Sequence, residues 1–173
     1  MSISLGLLIL RVIVGLTVAA HGSQKVFGWW GGSGLTGWTG AIKSMRVRPA
    51  LPWAVASAFA ELLGGLGLAA GFLTPLPSFA IAGSMLVAIT LVHLPKGFWN
   101  TQGGYEFNLT LLGAVAAVAV AGPGRYSLDS LFGIQLPEPW TLIVMTVLTL
   151  GGVAVALLTR TPAEVAATKP QTT

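Results

Sequence analysis

The stretch Leu51-Pro-Trp-Ala-Val-Ala-Ser-Ala-Phe-Ala-Glu-Leu-Leu-Gly-Gly-Leu-Gly-Leu-Ala-Ala-Gly-Phe72 decides the fold. It is long enough to cross a bilayer as a helix, because roughly 20 helical residues span the hydrocarbon core. Its one ionisable group is Glu61. A carboxylate at that depth is costly, so it faces protein rather than lipid and needs a partner.

Four further apolar segments flank this run, at about Ile3–Ala20, Pro77–Leu94, Phe107–Gly122 and Trp140–Leu158. The third of these is the shortest. With 54% hydrophobic and 8% charged side chains and a mean hydropathy of +0.81, the chain lies outside the range of soluble domains. None of the five runs alternates with period two, and lipid admits only helices or closed barrels, so all five read as membrane helices. The expected fold is an all-α membrane protein, a four-helix transmembrane bundle over residues 1–132 with a fifth C-terminal transmembrane helix over 133–159. A flexible tail is expected over 160–173, where apolar surface is scarce. The first run lacks a basic n-region and is interrupted by Arg11, so it reads as a retained helix rather than a signal peptide.

The net charge of +4 is scattered through loops and tail rather than gathered in a tract, so nucleic acid is not an expected partner. The absence of cysteine removes disulfides, thiolate nucleophiles and iron–sulfur ligation. Redox chemistry would therefore have to borrow its electron carrier. Histidines number only two, His21 and His93, and no metal site is expected. Counted by loop, Lys25, Lys43, Arg46, Arg48, Lys96, Arg160 and Lys169 fall on one side of the bundle and Arg125 on the other, with Arg11 inside. That asymmetry predicts an outside N-terminus and a cytoplasmic C-terminus in a bacterial inner membrane.

The long first loop, His21 to Ala50, carries Trp29, Trp30 and Trp38. Its distal half, Gly37–Met45, fits a short interfacial helix, and it equally fits a tryptophan-anchored connector.

Two constellations could carry chemistry. Helical rise places Arg11 about 12 Å into its run and Glu61 about 15 Å into its own from the opposite side, which predicts an ion pair at mid-membrane. The face around Glu61 is small, with Ala54, Ser57, Ala58, Gly64 and Gly65, and would admit the first helix with Arg11 and Gly15. Such a pair either holds a ligand headgroup or relays protons, or it only fixes helix register. The second constellation gathers His21, Gln24 and Lys25 from the first helix end, His93 from the third, and Tyr105, Glu106 and Asn108 from the fourth. Imidazole, phenol and carboxylate groups at one depth suit hydrogen bonding to a quinone and proton transfer. They also suit an ordinary interfacial belt. Trp29 is a further candidate ligand contact. No Walker loop, GxSxG, HExxH or dinucleotide fingerprint occurs.

The stretches Leu10-Arg11, His21-Gly-Ser-Gln-Lys-Val-Phe-Gly28, Ala60-Glu-Leu-Leu-Gly-Gly65, His93-Leu-Pro-Lys-Gly-Phe98, Gly103-Gly-Tyr-Glu-Phe-Asn108 and Gly122-Pro-Gly-Arg-Tyr-Ser-Leu-Asp129 together resemble the DoxX family of small bacterial integral membrane proteins. The resemblance covers about residues 5 to 132. It implies a four-helix membrane bundle, from which this chain departs by adding a fifth helix. Some members of the family look like subunits of thiosulfate:quinone oxidoreductases, and others like membrane partners of superoxide dismutase and a sulfurtransferase.

The resulting expectation is a membrane subunit of a quinone-linked oxidoreductase system. Arg11 and Glu61 would form its buried polar core, and His21, Lys25, His93, Tyr105 and Glu106 would line the ligand or proton path. Expected partners are membrane lipid, quinone, and a soluble redox or sulfur-metabolism protein. The alternatives are a non-enzymatic scaffold, recruiting that partner through the first loop and fifth helix, and a small-solute permease. Five helices without an inverted repeat argue against a single-chain permease, leaving a homo-oligomer as the form that would transport.

Overall fold

The structure is a computed structural model that describes residues 2–161. Every extended element among them is helical. Helix α1 runs Ser2–Phe27, α2 Gly34–Ser44, α3 Ala50–Ala70, α4 Pro75–Ala88, α5 Glu106–Ala121, α6 Leu128–Phe132 and α7 Trp140–Leu158. The α4 axis continues through a wide turn at Ile89–His93 and a tight one at Leu94–Lys96, giving an apolar segment of 22 residues. By length and composition α1, α3, extended α4 and α7 can each cross a membrane, and α5 is a shorter apolar helix of 16 residues. The protein is thus an all-α, multi-pass membrane protein.

The bundle is built by burying small and branched side chains between helices while large apolar ones face outward. Val14, Val18, Leu68, Ile81, Met85, Leu111, Val115 and Val118 form the core joining α1, α3, α4 and α5. Ile9, Ile13, Leu63, Leu66, Val120, Val147 and Leu150 are exposed around its circumference, an arrangement stable only where the surroundings are themselves apolar. Helix α1 packs most extensively on α3, and α4 sits between α3, α5 and α7.

Close approach of α1 and α3 depends on glycine. A Cβ on Gly15 would stand 2.6 Å from both Ala69 N and Gly65 O, so no larger residue fits without parting the helices. Helix α3 then stops at Gly71, whose φ of +65 and backbone bonds to the preceding turn form a left-handed cap.

The first loop contains a real helix, α2, which begins earlier than Gly37 and is more than interfacial. It buries Ile42 against Val47 and Ala54 at the foot of α3. The end of α7 is tied to the same region. Val47 pairs with Arg160, Arg48 N donates to Thr159 O at 3.2 Å, and Thr161 N donates to Arg46 O at 3.0 Å. Residues 162–173, most of the expected tail and including Lys169, lie outside the described residues.

Candidate functional site

Glu61 does have a cationic partner, but it is not Arg11. Lys25 Nζ donates to Glu61 Oε1 at 2.5 Å and to Oε2 at 2.6 Å, and Ser84 Oγ donates to Oε1 at 2.7 Å. The carboxylate is 2% exposed and the Lys25 side chain 20%. Lys25 reaches this position because α1 continues to Phe27 instead of ending near Ala20. Its ammonium also lies 4.2 Å from the centroid of the Trp38 ring, a cation–π contact in low-dielectric surroundings. The Trp38 indole in turn donates to Ser57 Oγ at 2.9 Å. Four elements, α1, α2, α3 and α4, thereby converge on one charged corner.

The expected Arg11–Glu61 pair is corrected by the helix register. Gly22 abuts Leu62 and Gly15 abuts Ala69, so climbing α1 by seven residues descends α3 by seven. On that register Arg11 stands level with Leu73 and Glu61 level with Ser23, 12 residues apart, or roughly 18 Å at 1.5 Å per residue. Arg11 is instead fully buried at the capped end of α3. It donates through Nη2 to Tyr126 O, and its guanidinium fills the space over Gly71 where a Cβ would collide with it. The short helix α6 supplies the local acidic group, Asp129. That carboxylate accepts from Leu73 N at 2.6 Å, Thr74 N at 2.9 Å and Thr74 Oγ1 at 2.6 Å.

The second constellation is dispersed. His93 Nδ1 lies 2.7 Å from Gly103 O, and Glu106 Oε2 accepts from Asn100 N at 3.0 Å. Both bonds hold the loop between α4 and α5 to itself. Tyr105 meets the Phe98 ring edge-on, and His21 meets Phe107. Asn108 is buried, with its amide against Met85 Sδ at 3.4 Å. Trp29 is half exposed, lies at a tilt against Phe27 and meets Trp30 edge-on. Of the sequence-predicted set, the structure brings together only Lys25 and Glu61.

Beside that pair lies a cavity of about 320 Å³ between α2, α3, α4 and α7. Its walls are mainly apolar, including Trp53, Phe79, Val87, Leu91, Met145 and Leu148, while Lys25, Glu61, Ser57, Ser84 and the Trp38 indole form its polar corner. A mostly apolar cavity with a few convergent polar groups is the usual form of a small-molecule site. Ser84 and the α7 wall escaped the sequence reading, which took Ser57 only as a helix-packing position and Trp38 only as an interfacial anchor. A serine about two turns into an apolar run gives no sign of what it faces, and α7 contains no ionisable group to draw attention.

Comparison with known proteins bears on this arrangement. The family model described as DoxX matches residues 6–94, which hold Arg11, Lys25, Glu61 and Ser84. The inner membrane protein YqjF of Escherichia coli (strain K12) is 30% identical over 132 residues, covering 73% of this chain and 91% of that protein. No solved structure matches.

Proposed function

We propose that this chain, which belongs to the DoxX family, binds a quinone or similar amphipathic small molecule with its head beside Lys25 and Glu61, as a membrane subunit of a quinone-linked oxidoreductase system. The observation that carries the reading is the cavity with apolar walls and one charged corner. A quinone has that same division, an apolar ring and tail with two carbonyl acceptors.

The donor set fits such a head. Lys25 has three N–H donors and uses two of them on Glu61, which leaves the third for a carbonyl oxygen. Glu61 holds the ammonium in place and keeps the corner electrically neutral, favouring an uncharged head over an anionic one. When bound, a quinone would supply two-electron, two-proton redox chemistry that a cysteine-free chain lacks.

The similarity to an inner membrane protein supports the bacterial inner membrane as the location. Lys25, Lys43, Arg46, Arg48, Lys96 and Arg160 gather at one end of the bundle, at the termini of α1, α2, α4 and α7. The positive-inside bias makes this the cytoplasmic end, with the N-terminus of α1 outside. A soluble partner that delivers or removes electrons would dock there.

The test is recovery of ligand. Purified in native-lipid nanodiscs, the protein is expected to retain quinone detectable by mass spectrometry of its extract, and Lys25→Met to lose it. Absence of quinone from the unsubstituted protein, together with no binding of added decylubiquinone, would overturn the proposal.

A further inference from the structure

We infer that α7 is the ligand-selecting wall of this site, and that the ligand's tail reaches the cavity sideways from the hydrocarbon through the seam between α3 and α7. The inference rests on the ligand reading above and adds to it the identity of the tail-binding surface. Neither the four-helix bundle implied by family resemblance nor the match over residues 6–94 includes this helix.

Three observations carry it. First, α7 packs on α4 and is pinned at its basic end to the α2–α3 loop, but makes no comparable contact with α3. The cavity therefore lies between two helices that do not close on each other, in the depth range where the exterior is lipid. Second, the α7 face that lines it, with Leu148, Thr149, Gly152 and Ala156, follows the i, i+1, i+4, i+8 stripe of one helix side. Thr149 fixes its distance from α4, its methyl group lying 3.5 Å from where a Cβ on Gly83 would be. Third, Gly152 lines the cavity and a Cβ there would meet nothing within 4 Å. Missing side-chain volume at that point is what leaves room for a chain of methylene or isoprenoid units.

A tail that enters from the bilayer gains no transfer free energy from water, because lipid is as apolar as the wall; its gain is the dispersion contact it makes where the α7 wall packs against it. Tailed quinones should therefore bind more tightly than tail-less ones, and filling the wall should remove the difference.

The cysteine-free chain allows the filling to be done after folding. Gly152→Cys, reconstituted in nanodiscs and then capped with a hexyl thiosulfonate, is compared with Gly151→Cys treated identically. Gly151 neighbours it, also faces open space, and does not line the cavity. Binding is read as quenching of Trp38 and Trp53 fluorescence by decylubiquinone and by its tail-less analogue. The expected result is tailed-ligand binding weakened at least about tenfold by capping at 152, with capping at 151 without effect. Equal binding in both capped proteins, or equal affinity of the tailed and tail-less ligands for the uncapped protein, would overturn the inference and leave the head-group reading standing. No quenching in any form would refute that reading and the inference with it.

Discussion

Replacing Lys25 with methionine keeps the length and apolar stem of the side chain and removes the charge that Glu61 relies on. The carboxylate is 2% exposed and accepts three bonds, two of them from Lys25. Without Lys25 only Ser84 remains. Stranding one member of a buried pair costs roughly 3–5 kcal/mol, so Lys25→Met should lose about 3 kcal/mol of stability. The reverse change is milder. Glu61→Gln leaves an ammonium that is 20% exposed, lies over Trp38 and can move toward the basic end on its flexible stem, so the cost should be about 1 kcal/mol. The double variant Lys25→Met/Glu61→Gln contains no unpaired charge and keeps an acceptor for Ser84. It should recover about 2 kcal/mol relative to Lys25→Met alone, which with the two single costs is a coupling of about 3 kcal/mol, the upper end for residues in contact. Reversible unfolding in mixed micelles, followed by helical circular dichroism, measures all three variants. Additive single-variant effects, or a larger loss from Glu61→Gln than from Lys25→Met, would refute the assignment. An Arg11→Gln/Glu61→Gln cycle in the same assay should show coupling below about 0.5 kcal/mol, given the separation along the helices.

Asp129→Ala removes three acceptor contacts to Leu73 and Thr74 and should cost about 3 kcal/mol, seen as faster amide exchange across residues 72–76. Gly65→Ala should destabilise by at least about 2 kcal/mol in micelle unfolding, because its Cβ would collide with the α1 backbone. Gly113→Ala meets nothing within 4 Å and should be neutral or stabilising by up to about 1 kcal/mol. Single cysteines at the exposed Ser44 and Ser130 should react with an impermeant maleimide from opposite faces of sealed vesicles, Ser44→Cys from the cytoplasmic face. Labelling of both from one face would overturn the topology.

The sequence already contains the reason that Arg11 does not answer Glu61. In an antiparallel pair, packing Gly15 and Gly65 against the facing backbone carries Arg11 at least one turn toward one end and Glu61 at least one turn toward the other. Glycine packing and an Arg11–Glu61 pair were mutually exclusive, and packing prevailed: backbone contact along several turns outweighs one ion pair whose desolvation cost nearly cancels its attraction. Lys25 was legible as a basic residue after the first apolar run, but its role required knowing that α1 extends to Phe27. The His93–Asn108 group looked like a site because its members share one end of the bundle. Short-range bonds within the loop, such as His93 to Gly103 and Glu106 to Asn100, consume them instead.

By itself the sequence determined that this chain is a bundle of membrane helices, which faces are small, and that a buried carboxylate demands a cation. Those conclusions follow from the cost of burying polar groups in hydrocarbon, and that cost depends on composition and periodicity alone. Only the tertiary structure decided which cation answers Glu61, that Arg11 belongs to the opposite end with Asp129 of α6, and that α7 completes a cavity. These depend on axial register and on which helices fail to touch. A helix can slide by whole turns while keeping the same face toward its neighbour, so periodicity carries no record of either.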